Sequence, residues 1–84
     1  MKLFAIYDVK SNSYSPLKMA PSTANAIRQF TSLVNAKDTD ESQYPNDFML
    51  YELGSFDEQT GKFEILSEPQ NLGLASNFKS ESLH

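Results

Sequence analysis

Lys10, Tyr14 and Lys18 follow one another at intervals of four residues near the start of the chain. An aromatic ring between two cations can stack on an unpaired base while the ammonium groups hold the neighbouring phosphates. Tyr14 can equally close the edge of a core. A second set follows directly: Ser22 and Thr23, then Asn25, Arg28, Gln29 and Ser32. If this stretch is a helix, the free amides and dipole at its start favour a phosphate. Its polar side then offers one guanidinium and several uncharged donors, or simply a solvated face. Lys37 extends the basic set. The candidates for nucleic-acid contact are therefore Lys10, Tyr14, Lys18, Ser22, Asn25, Arg28, Gln29 and Lys37.

Residues for catalysis are scarce. Nucleophilic catalysis needs a Ser, Cys or Thr beside a base. The chain has no cysteine, and its one histidine is His84 at the end. Without thiols it has neither disulfides nor thiolate metal sites. Gly54, Gly61 and Gly73 are too scattered for a phosphate-cradling loop. Asp38, Asp40 and Glu41 could attract a hard cation, but they lack the twelve-residue calcium pattern and read as a solvated acidic loop. The expectation is a non-enzymatic protein with no cofactor and no metal.

These candidates must be positioned by a small set of elements. Residues 2–9 alternate Leu3, Ala5, Tyr7 and Val9 against Lys2, Phe4, Ile6 and Asp8, so both faces carry apolar groups and the strand is central. Residues 10–13 form a turn. Residues 14–20 return as a short strand, with Pro16 marking an edge. Ser22 is the N-cap of a helix running to about Ala36. Thr23, Ile27, Phe30 and Val34 lie on one side of that helix, with Ala26 and Leu33 beside them. Residues 37–47 read as a loop. A strand over 48–56 and another over 62–66 flank a hairpin turn at 57–61, with Gly61 in the left-handed position and Gly54 at a bulge or bend. Phe63 and Ile65 are expected to be buried. Pro69 ends the hairpin. The fold class is α+β: a small antiparallel sheet of three to four strands against one amphipathic helix, in the order β-β-α-β-β. Residues 1–69 form a single domain and 70–84 a polar, flexible tail whose Leu72, Leu74 and Phe78 could dock on a neighbour.

The net charge of −4 is unevenly spread. Residues 1–37 carry five cations against Asp8 alone, or +4; residues 38–68 carry nine acids against Lys62 alone, or −8. Such asymmetry points to nucleic acid or a charged partner, to attraction between the halves within the fold, or to self-association. The start of the chain is too short and polar for a signal peptide. No stretch approaches the roughly 20 apolar residues of a membrane span.

The opening MKLFAIYDVKSNSYSPLKMAPS, the segment AIRQFTSLVN and the later PNDFMLYELGSFDEQTG resemble the small nonstructural protein of gokushoviruses. These are tailless phages of the Microviridae with circular single-stranded DNA. The resemblance covers most of residues 1–66. It implies a DNA-binding role in viral DNA replication, at the switch from duplex synthesis to single-strand production and packaging. It also implies a place in the cytoplasm of the infected host and absence from the virion. Arg28 falls in the AIR-F segment, Tyr14 and Pro16 in the Y-S-P segment, and Gly54 and Gly61 in the later motif. The motif glycines are explained by backbone geometry. The resemblance assigns no binding residue.

Three functions remain open. One is a replication accessory that binds DNA, single strands preferred, through the basic N-terminal half; phosphate neutralisation then makes binding salt-sensitive, and Arg28→Glu weakens it. The second is a protein-interaction module that engages a replication initiator, a host helicase or the procapsid. The third is an acidic mimic of DNA. A homodimer or higher homo-oligomer suits the first two, because a second copy doubles a weak basic patch.

Overall fold

A computed structural model describes residues 1–80 of the chain. His84 and the last residues of the expected 70–84 tail lie outside the described residues. The first strand, β1 (Lys2–Asp8), is central, as its two apolar faces require. On one side it pairs antiparallel with β4 (Phe48–Phe56). On the other it pairs with two short pieces placed end to end, β2 (Ser13–Tyr14) against Tyr7–Asp8 and β3 (Lys18–Ala20) against Lys2–Phe4. The expected single return strand is split at Ser15–Leu17. There Pro16 has no N–H to give, and the Ser15 hydroxyl accepts the Ile6 amide at 2.9 Å instead,. The architecture is α+β, a five-stranded antiparallel sheet in the order β2-β1-β4-β5, with β5 (Phe63–Leu74) beyond β4 and β3 also on β1.

The helix α1 (Thr23–Asn35) starts and stops where the residues say it should. The Ser22 hydroxyl accepts the Asn25 amide at 3.2 Å, which satisfies one of the orphan donors of the first turn,. Ala26, Phe30 and Val34 recur at intervals of four and form the buried stripe,. They meet Phe4, Ile6 and Leu50 of the sheet in one core. Burying a Phe or Val side chain contributes about 1.5–3 kcal/mol, so this stripe holds the helix to the sheet. Within the expected loop 37–47 lies one further turn of helix, α2 (Asp40–Gln43), capped by Thr39. Asp40 and Glu41 occupy its first turn, where the helix dipole favours negative charge.

The last strand, β5 (Phe63–Leu74), corrects two expectations. It does not stop before Pro69. Glu52 pairs with Gln70 and Gly54 with Ile65, so Leu66–Pro69 stand opposite Leu53 alone. This wide bulge takes Pro69 out of the ladder, and pairing resumes to Leu74. Residues 70–78 are accordingly not a loose tail. After β5 a 3-10 turn (Ala75–Phe78) packs on the core; Ala75 is fully buried, and the Phe78 and Phe30 rings meet edge-on at 5.7 Å. Lys79 then donates to the Val34 carbonyl at 3.3 Å and the Ser42 carbonyl at 3.0 Å, a cation at two helix C-termini. The second correction is that Phe63 and Ile65 are 59% and 65% exposed. They sit on the β4–β5 arm, which projects past the end of the core.

Candidate nucleic-acid interface

The register of the ladders sorts the strand residues between two faces. Lys2, Phe4, Ile6 and Asp8 of β1 face α1, and with them come Lys18, Leu50, Glu52 and Glu64 through their cross-strand pairs. Leu3, Ala5 and Tyr7 face the other way, together with Tyr14, Met19, Met49, Tyr51, Phe56, Phe63 and Ile65. Every charged residue in the paired ladders is on the helix face. The opposite face carries none. The helices and the 3-10 turn all gather on one side, so no described element covers this open face.

Three tyrosines meet on the open face. Tyr7 and Tyr14 are direct cross-strand partners, and Tyr51 sits one strand over beside Ala5. Their ring centroids are 4.8 Å (Tyr7–Tyr14), 5.6 Å (Tyr14–Tyr51) and 6.2 Å (Tyr7–Tyr51), all edge-on. Such spacing is that of attractive aromatic pairs. The Tyr7 hydroxyl donates to Asn12 Oδ1 at 3.1 Å, which ties the cluster to the first turn. Tyr14 is the outermost and is 46% exposed. Ala5 and Leu3 are fully buried on this face, with Tyr51, Met19 and Gly54 as their ladder neighbours. The result is a ring surface raised above a floor of small and aliphatic groups, which suits the flat face of a base.

The eight sequence candidates fall into separate places. Tyr14 is on the open face. Lys18 is across the sheet from it and flanks, with Gln29, an apolar cleft of about 170 Å³ between α1 and β3, over Phe4, Phe30 and Leu33. Asn25, Arg28 and Gln29 are exposed on the outer side of α1. Ser22 and Asn25 are engaged with each other, the Ser22 hydroxyl donating to Asn25 Oδ1 at 2.6 Å. Lys37 lies beyond the far end of α1. Lys10 is in the first turn, where its amide donates to Asp8 Oδ1 at 2.9 Å and its side chain borders a depression shared with Asp40 and Asp47. Lys18, Arg28 and Gln29 therefore share the helix side, Tyr14 stands on the other, and Lys10 stands among acids. The four cations Lys10, Lys18, Arg28 and Lys37 form no ion pair with a described acid; among the described residues the one pair between two side chains is Lys2–Glu52 at 3.6 Å.

Tyr7 and Tyr51 were not among the candidates. Their signal was present: each falls on the same parity as the aliphatic residues of its strand, Leu3 and Ala5 for Tyr7, Met49 and Leu53 for Tyr51. Among the described residues, no group of three or more acidic or histidine side chains gathers to hold a metal. Among the described residues, no helix is long and apolar enough to cross a membrane.

The family model described as Phage ORF5 protein matches residues 1–78, and the chain belongs to that phage protein family. No curated protein matches the chain, and no solved structure does.

Proposed function

We propose that this member of the Phage ORF5 protein family is a non-enzymatic accessory of phage DNA replication that binds single-stranded DNA on its open sheet face. The observation that carries this reading is the cluster of Tyr7, Tyr14 and Tyr51 on a face with no charged ladder residue, where Tyr14 is 46% exposed. Unpaired bases stack on exposed aromatic rings of a sheet, whereas a closed duplex has no free base face to offer them. The resemblance to the gokushoviral nonstructural protein supplies the setting: the cytoplasm of an infected host, at the passage from duplex to single-strand synthesis. None of the candidate cations is a ladder residue of the tyrosine face, so stacking and not phosphate neutralisation dominates. Binding is then only mildly salt-dependent, since the salt slope scales with the number of phosphates neutralised.

Fluorescence anisotropy of labelled single-stranded and duplex oligonucleotides, at low and moderate salt, tests this. The expected result is preference for the single strand. Tyr14→Ala should lose about 1–3 kcal/mol of that affinity, the usual contribution of one stacked base. Arg28→Glu, on the other side of the sheet, should leave it nearly unchanged. The reverse pattern would move the strand to α1. Absence of binding by the folded protein at low salt would favour action through a protein partner.

A further inference from the structure

We infer that the outer edge of β5 is a self-association surface, on which a second copy of this chain pairs its own β5 antiparallel about a two-fold axis at Ile65. The phase of the ladder is the first ground. The Phe56 amide donates to the Met1 carbonyl at 2.7 Å, and the Phe56 carbonyl accepts the Met1 ammonium at 3.0 Å. Both backbone groups of Phe56 thus face away from β5. In an antiparallel pair the cross-strand neighbour of such a residue also turns its backbone groups away. That neighbour is Phe63. The alternation carries through to Ile65, while Glu64 turns inward to Ser55. Phe63 and Ile65 therefore present their N–H and C=O groups at the outer edge, and β5 pairs among the described residues with β4 alone.

Side-chain chemistry selects the occupant. Gly61 to Asn71 are exposed throughout, and Phe63, Ile65 and Leu66 place three large apolar groups along this edge. An open edge of this kind is a template for another strand. With Ile65 opposite its own copy, Phe63 lies opposite Ser67, Glu64 opposite Leu66, and Lys62 opposite Glu68 of the second copy. On one face two Lys–Glu pairs then flank the Glu64–Leu66 pairs, and on the other Ile65 meets its own copy. Moving the axis to Glu64 would set two carboxylates face to face, which is unfavourable. Leu66–Pro69 have no ladder partner on β4, so the second half of the pairing displaces no bond within the chain. A two-fold axis normal to the sheet keeps both open faces on one side, so two tyrosine clusters would share one surface. The edge alone is a small interface, which implies a weak, reversible dimer.

Sedimentation velocity of the full chain, from low to several hundred micromolar, tests the inference. The wild type should pass from monomer to dimer. Lys62→Glu and Glu68→Lys should each raise the dissociation constant at least tenfold, and the double exchange should restore it. Ile65→Pro removes an N–H that no other described strand uses, so it should abolish the dimer; circular dichroism checks that its monomer is folded, and the charge exchange decides if it is not. A wild type that stays monomeric throughout, or a dimer indifferent to both single charge reversals, would overturn the inference. Neither outcome touches Tyr14-dependent DNA binding, so the two proposals fail separately.

Discussion

The two faces of the sheet have the same strands and opposite chemistry. The helix face holds the charges and the core together. Glu52 is 8% exposed there, and a carboxylate so placed needs partners,. It has two: the Thr23 hydroxyl donates to it at 2.8 Å, and Lys2 stands 3.6 Å away. The open face has no charged ladder residue and no helix packed on it. An antiparallel sheet with one solvated face normally alternates apolar and polar residues. Here both faces are apolar: Leu3 and Ala5 are buried on the open one, while Tyr14 and Met19 stay about half exposed on it. The helix face thus carries the larger part of the core, and the open face adds Leu3 and Ala5 beneath half-exposed rings.

The sharpest way to break this comparison is one truncation on each face. Phe30 is buried in the stripe of α1. Phe30→Ala should cost about 3–5 kcal/mol, read as a shift of the urea midpoint. Tyr14→Ala removes a half-exposed ring from two edge-on pairs and should cost only about 0.5–1.5 kcal/mol. If Tyr14→Ala destabilised the fold as much as Phe30→Ala, the open face would be part of the core and the division between the faces would be lost.

A smaller effect sharpens the account of the helix face. Thr23 joins the first turn of α1 to β4 through Glu52. Thr23→Val keeps the shape and removes the donor. It should cost about 1.5–3 kcal/mol, as for a hydrogen bond to a charged group. Pairing it with Lys2→Met in a double-mutant cycle measures how far the hydroxyl and the ammonium support the same carboxylate. Strict additivity would show that the two partners act independently.

The helix was legible because its signals are local. Ser22 caps it, and Ala26, Phe30 and Val34 repeat with its period. β1 and β4 were legible by alternation. What was hidden depended on partners distant in sequence. The strand after Pro69 could not be read, because Ser67, Gln70 and Asn71 carry no apolar alternation and a proline usually ends a ladder. The bulge opposite Leu53 makes the proline harmless, and the close approach of Phe78 to Gly73 lets the chain turn back onto the core. The tyrosine cluster was hidden for the same reason. Tyr14 was visible beside Lys10 and Lys18, but only the register brings Tyr7 and Tyr51 to it and leaves Lys18 on the other face.

The smallest expected effect lies at the tip of the β4–β5 arm, outside both faces. Asp57 Oδ1 accepts the Gln59 amide at 2.9 Å and the Thr60 amide at 3.4 Å. The Gln59 amide is the main cause that holds this carboxyl below its ordinary value of 3.8, since a hydrogen bond to the charged form favours it. A carboxyl lowered in the folded state adds stability above its unfolded value, and that increment disappears as pH falls through the lower folded value. Asp57→Asn keeps an acceptor but not the charge. It should therefore lower the thermal midpoint slightly at neutral pH, and the gap to wild type should close below the ordinary carboxylate range. The side chain is fully exposed, so the gap is small and shrinks with added salt. A gap that persisted unchanged into acid would mean that the turn depends on the shape of Asp57 and not on its charge, and the arm would then be set by the backbone of Gly61, at φ 75°, alone.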